Sequence, residues 1–198
     1  MDQAPKQKRS RKRIEVILTT AENILLEDGI DSVTIANISK VSGLKRTSTY
    51  KFFQTPESIK AALATRYLLD LAKDFSIKSS DINSSELSVI VMRSVEIMHN
   101  YFLSSAAAQS LVLTNTTSLP VTKEPFNELS SCVQEFIESN IELPQFFNKD
   151  GVFRVFTQII ISIFSLNTRE NGDLNEVGKI EANRAAYAYM LNWVNQSS

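Results

Sequence analysis

The chain has 198 residues, 43% of them hydrophobic and 22% charged, with 21 Lys and Arg against 22 Asp and Glu; this is an ordinary globular balance, with length for one larger domain or two small ones. A single cysteine, Cys132, excludes an internal disulfide and suits a reducing compartment, and one histidine, His99, supplies no metal-ligand pattern, so neither metal nor cofactor is expected. No apolar run approaches the length of a membrane span, the best being QIIISIF at 158–164, so no membrane partner is expected and the chain is placed in the cytoplasm.

Charge is divided unevenly. Residues 1–66 hold 12 Lys and Arg against 7 Asp and Glu, whereas residues 67–198 hold 9 against 15. A basic end points to a polyanionic partner, nucleic acid or an anionic surface; the bland alternative is a solvated tail. The opening MDQAPKQKRSRKR has no apolar core behind it and does not read as a secretory signal. Residues 1–12 are expected to be a basic flexible arm.

In chain order the elements all read as helix. Ile14, Ile17, Leu18, Ala21, Ile24 and Leu25 recur at helical spacing, and Gly29 closes that element. Thr34 caps a short helix to about Val41, and a second short helix spans roughly 45 to 52. Thr55-Pro56-Glu57 starts the next, with a capping hydroxyl, a proline in the first turn and an acid beside the positive helix end. It runs to about Phe75, and SIKSSDINSS at 76–85 breaks the pattern. Further helices follow at about 86–102, 122–139, 150–168 and 174–195, with a shorter one within SSAAAQSLVLTN. No strand alternation stands out, so the fold class is all-α.

The stretch SGLKRTSTYKFF, residues 42–53, joins two short helices through a glycine, as a helix-turn-helix does. Gly43 suits a turn conformation that a Cβ penalises, and Leu44 and Phe52 are placed to pack the second helix on the first. Ser39 is small enough for the two axes to approach closely. Arg46, Thr47, Ser48, Tyr50 and Lys51 are then exposed, and Thr49 faces inward.

From Ile17 to Leu63 the sequence resembles the N-terminal domain of the tetracycline-repressor (TetR) family of bacterial transcription regulators. The features shared are an aliphatic first helix ending in Glu-Asp-Gly, a threonine-started helix, a glycine turn, Thr-Tyr with an aromatic pair, and an acid opening the fourth helix. Serine stands at position 39 where the family usually has alanine, threonine at 49 where it usually has leucine, and proline at 56 where it often has lysine. The resemblance implies three units: the arm at 1–12, a three-helix, helix-turn-helix DNA-binding domain at 13–63, and a helical effector-binding and dimerisation domain at 64–198. It implies double-stranded DNA with an inverted repeat as partner. Thr34 and Tyr50 would touch phosphate; Lys45 lies in the same interface. Arg46, Thr47 and Ser48 would reach bases, and Lys51 a base or the backbone. Arginine is the commonest bidentate reader of guanine, but a phosphate-only role for Arg46 weighs nearly as much. The basic residues of 6–13 would lie in a minor groove or along phosphates.

The remainder supports a homodimer. Val152, Val155, Phe156, Ile159, Ile160, Ile163 and Phe164 make one helix broadly apolar, and Ala182, Ala185, Ala186, Tyr189 and Trp193 stripe the last. Two such helices per subunit build a four-helix interface; the alternative is two core helices of a monomer. Phe75, Met92, Phe102, Phe126, Phe136, Phe146, Phe147 and Phe153 suggest a small apolar or aromatic effector, with His99 and Arg154 as polar candidates. Each is also an ordinary core residue.

The function expected is a sequence-specific DNA-binding transcriptional regulator, a repressor released by a small molecule. A helical ligand- or partner-binding protein of the same fold that no longer binds DNA is the alternative. Catalysis would need a serine or Cys132 with His99 as base, and no nucleophile-elbow or paired-glycine motif accompanies them, so no enzyme is expected.

Overall fold

The structure, a computed structural model, describes residues 4–114, 123–145 and 148–195. Among them there is no strand. The helices are α1 (Ala4–Asp28), α2 (Ile35–Ser42), α3 (Arg46–Tyr50), α4 (Pro56–Ser79), α5 (Leu87–Leu103), α6 (Ala106–Ala108, running into a π-helical stretch Gln109–Thr114), α7 (Lys123–Asn140), α8 (Lys149–Asn171) and α9 (Glu176–Asn195). The chain divides into two compact units, one reaching Ala64 and the other starting at Thr65.

In the first unit α1 buries Ile17, Leu18, Ala21, Ile24 and Leu25 against α2, whose Ile35 and Ile38 are also buried. The helix begins at Ala4, so residues 4–12 form its first turns. Gln, Lys and Arg are good helix formers, and a proline as second residue removes only an N–H that would be unsatisfied anyway. Residues 1–3 lie outside the described residues. Thr55 and Ser58 close the start of α4 reciprocally. Thr55 Oγ1 accepts the Ser58 N–H at 3.2 Å, and Ser58 Oγ accepts the Thr55 N–H at 3.3 Å.

The second unit is a phenylalanine-rich helical core. Phe75 of α4 meets Phe136 of α7 edge to face at 5.8 Å, and Phe164 of α8 takes His99 at 5.7 Å and Phe102 at 6.3 Å, both from α5. Tyr101 donates its hydroxyl to the Tyr67 carbonyl at 2.8 Å, fastening α5 to the C-terminal part of α4. α8 packs on α9, α7 and the π-helical stretch. By length and composition it is apolar enough to cross a bilayer. This exceeds what QIIISIF alone suggested, because the polar residues between Arg154 and Arg169 are uncharged. It is a core helix here, with Val152, Phe153, Phe156, Ile160, Ile161 and Phe164 buried in its unit.

Candidate nucleic-acid interface

The interface is built from α2, a glycine corner and α3. Thr34 caps α2: its Oγ1 accepts the Asn37 N–H at 3.1 Å, leaving the hydroxyl proton free to be donated outward. α2 ends at Gly43, whose φ of 70° is left-handed and open to glycine without strain. The Leu44 N–H donates to Ser42 Oγ at 3.2 Å within that corner. Lys45 opens α3, its carbonyl accepting the Ser48 N–H at 2.8 Å.

α3 then separates its faces sharply. Thr49 is 0% exposed, while Arg46, Thr47 and Lys51 are exposed and Tyr50 is 53% exposed. Lys45 is exposed as well, and Ser48 and Thr34 are half-buried. All seven residues named from the sequence thus keep polar groups on the free side of the motif or at its edge. The inward position has a defect: Thr49 Oγ1 is buried with no hydrogen-bond partner, and so is Ser39 Oγ of α2. Beyond the motif, Lys8, Arg9, Arg11, Lys12 and Arg13 are exposed on the first turns of α1.

The second unit distributes its candidates less neatly. Phe75 and Phe102 are wholly buried in ring contacts, and His99 is 1% exposed with its Nε2 donating to the Asn175 carbonyl at 3.3 Å. Burial pushes the His99 pKa below its ordinary 6.5, and Lys179 adds to this; the Asn175 carbonyl, Glu176 and Asn100 oppose it. Phe126 is half-buried, and Arg154 faces solvent. Phe146 and Phe147 lie outside the described residues. Met92, expected inside, is 43% exposed and lines a cleft between α5 and α9 that the sequence did not announce. A second cleft, of about 360 Å3, lies between α4 and α7 and is lined by Leu69, Ala72, Ile77, Glu128 and Cys132 among others.

The dimer residues need correction. Val152, Phe156, Ile160, Ala182 and Ala186 are buried within the single chain, so they form its own core and offer no partner surface. Ile163, Tyr189 and Trp193 are half-buried. The uncovered side of α8 carries Val155 at 47% and Leu166 at 49% exposure, with Ile159 and Ile163 flanking them. A helix whose apolar arc is this wide, interrupted by Arg154, Gln158 and Ser162, does not reveal from its sequence which part of that arc its own subunit covers.

This helix-turn-helix on an all-α body has the fold seen in solved structures of TetR-family proteins, which superpose on it at low sequence identity. A TetR-family regulator from Streptomyces coelicolor matches with a TM-score of 0.67 at 18% identity, over 91% of this chain and 99% of that one. SmeT, the repressor of the Stenotrophomonas maltophilia multidrug efflux pump SmeDEF, matches at 0.58 and 16% identity, over 91% and 90%. The repressor AlkX from Dietzia, implicated in n-alkane biodegradation, matches at 0.56 and 14%, over 90% and 95%. No protein-family model and no curated protein sequence matches the chain.

Proposed function

We propose that the protein is a dimeric transcriptional regulator that binds an inverted-repeat duplex through α3 and acts as a repressor released by a small apolar or aromatic molecule. The observation that carries this reading is the exposed set Lys45, Arg46, Thr47, Tyr50 and Lys51, held on a glycine corner and backed by a buried Thr49. Major-groove recognition needs such a short helix, polar on one side and anchored on the other. Arg46, Thr47 and Ser48 take the base edges, Thr34 and Tyr50 the phosphates, and Lys45 and Lys51 reinforce the contact. The basic first turns of α1 add sequence-independent attraction.

Dimerisation uses the uncovered face of α8, Val155, Ile159, Ile163 and Leu166, together with Tyr189 and Trp193 of α9, whose rings meet edge to face at 6.4 Å. The apolar cleft between α4 and α7 is the place offered to the effector, and the protein works in the cytoplasm without catalysing a reaction. Effector and operator must then weaken each other by one common factor, since their coupling is reciprocal.

Selection of bound duplexes from random DNA tests the reading. An inverted repeat should emerge, with affinity falling steeply as salt rises. Arg46→Ala should lose about 1–3 kcal/mol at one base position and relax the preference there. Equal weakening on every sequence would make Arg46 a phosphate contact. If no duplex is retained at low salt, the protein is a ligand- or partner-binding relative of the fold, a reading that the orphaned hydroxyl beneath α3 favours.

A further inference from the structure

The cleft between α5 and α9 has a volume of about 300 Å3, at the small end of the range for small-molecule sites. Its chemistry is mixed in a specific way. Met92 and Val95 of α5 and Ile180 of α9 give it apolar walls, with Met92 43% and Ile180 47% exposed. Asn183 also lines it, and Asn183 Oδ1 is buried without a hydrogen-bond donor. Buried acceptors are nearly always satisfied, so this one stands out as a place for a ligand's N–H or O–H.

The charges at the cleft carry the argument further. α9 supplies Lys179 and Arg184, and α5 supplies Glu96. Among the described residues each is paired along its own helix: Lys179 with Glu176 at 2.5 Å, Arg184 with Glu181 at 2.7 Å and Glu96 with Arg93 at 2.5 Å. Such pairs at the solvent boundary are weak and exchange readily for a ligand's charge. A purely anionic ligand would leave Glu96 and the Asn183 acceptor unmet, and a purely cationic one would oppose Lys179 and Arg184. A zwitterion meets all of them.

We propose that this cleft binds a free α-amino acid with an apolar side chain. Its ammonium donates to Asn183 Oδ1 and Glu96, its carboxylate accepts from Lys179 and Arg184, and its side chain covers Met92, Val95 and Ile180. No residue of the DNA interface takes part, so this site and the DNA reading stand or fall separately.

Calorimetric titration of the full chain, without DNA, with L-leucine and with L-phenylalanine tests the proposal. At least one should bind saturably. The better of the two should bind at least tenfold more tightly than the matching acid without the amine (4-methylpentanoate or 3-phenylpropionate) and the matching amine without the carboxylate (3-methylbutylamine or 2-phenylethylamine). Asn183→Leu should weaken binding at least tenfold. Should that variant fail to fold, Lys179→Gln and Glu96→Gln, changed at charges on the cleft rim, must each weaken binding while the unfolding midpoint stays in place. Absence of saturable binding by both amino acids overturns the proposal. So does equal affinity for the one-headed analogues, or binding untouched by Lys179→Gln and Glu96→Gln.

Discussion

Asn175 donates its backbone N–H to Asn167 Oδ1 at 3.0 Å, while Asn167 Nδ2 donates to Asn175 Oδ1 at 3.1 Å, so one reciprocal pair closes the turn between α8 and α9. Asn175 Oδ1 also accepts the Val177 N–H at 3.0 Å, starting α9, and the Asn175 carbonyl meets His99 of α5. Gly178 leaves room for this arrangement, since a Cβ there would lie 2.6 Å from Asn167 Cγ. Three helices are thus registered around one buried amide.

Two substitutions test the pair. Asn167→Ala strands the Asn175 N–H and should lower unfolding free energy by about 1–3 kcal/mol. Gly178→Ala would stabilise an ordinary helix interior by about 0.5–1 kcal/mol, but the held Asn167 side chain leaves no room for the methyl. Urea unfolding should therefore find Gly178→Ala less stable than the parent. A more stable variant would show that Asn167 swings aside freely.

Thr49→Val should stabilise the first unit. The side chains have nearly the same shape, and the change removes a buried hydroxyl that has no partner. A gain of about 1 kcal/mol is expected, since an unsatisfied buried polar group costs about 1–3 kcal/mol. Thermal or urea unfolding of a fragment or of the full chain measures it. A loss of stability would mean that the hydroxyl is hydrogen-bonded in solution.

His99 should make stability fall as the solution is acidified. Its folded pKa lies below the ordinary 6.5, so around and below that pH the unfolded chain binds the proton more readily. The neutral ring's contribution is complete above 6.5 and is lost as pH falls from there through the folded pKa. His99→Gln should flatten this part of the profile. Denaturant unfolding at pH 7.5, 6.5 and 5.5 compares the two; identical slopes would remove His99 as the cause.

Charge on α8 should act differently on its two sides. Val155→Glu with Leu166→Glu, both on the uncovered face, should turn a dimer into a folded monomer by light scattering. Ile160→Glu places a charge at a wholly buried position and should unfold the second unit instead. A double variant that keeps the parent's mass and helicity would reject this face as the interface.

The helices were legible because their start and stop signals are local. Thr34, Gly43 and the Thr55-Pro56 pair each act within a few residues, and Ile17, Ile24, Ile35 and Ile38 repeat at helical spacing with polar neighbours between them. The exposed face of α3 was legible for the same reason, since an inward Thr49 determines where Arg46, Thr47 and Tyr50 point. Less was legible where the pattern does not discriminate: the apolar arc of α8 extends well beyond the side its own unit covers, and Met92 is as apolar as its buried neighbours Val91 and Val95.

Caps, glycine corners and periodicity act over one or two turns, so the all-α class, the helix-turn-helix and the basic character of its unit are readable along the chain. That Ile160 and Ala186 are core while Val155 and Leu166 are free follows from the folded structure. It alone also gathered Met92, Glu96, Lys179 and Asn183 around one cleft. These depend on which helix covers which face, a choice set by packing between residues far apart in the chain.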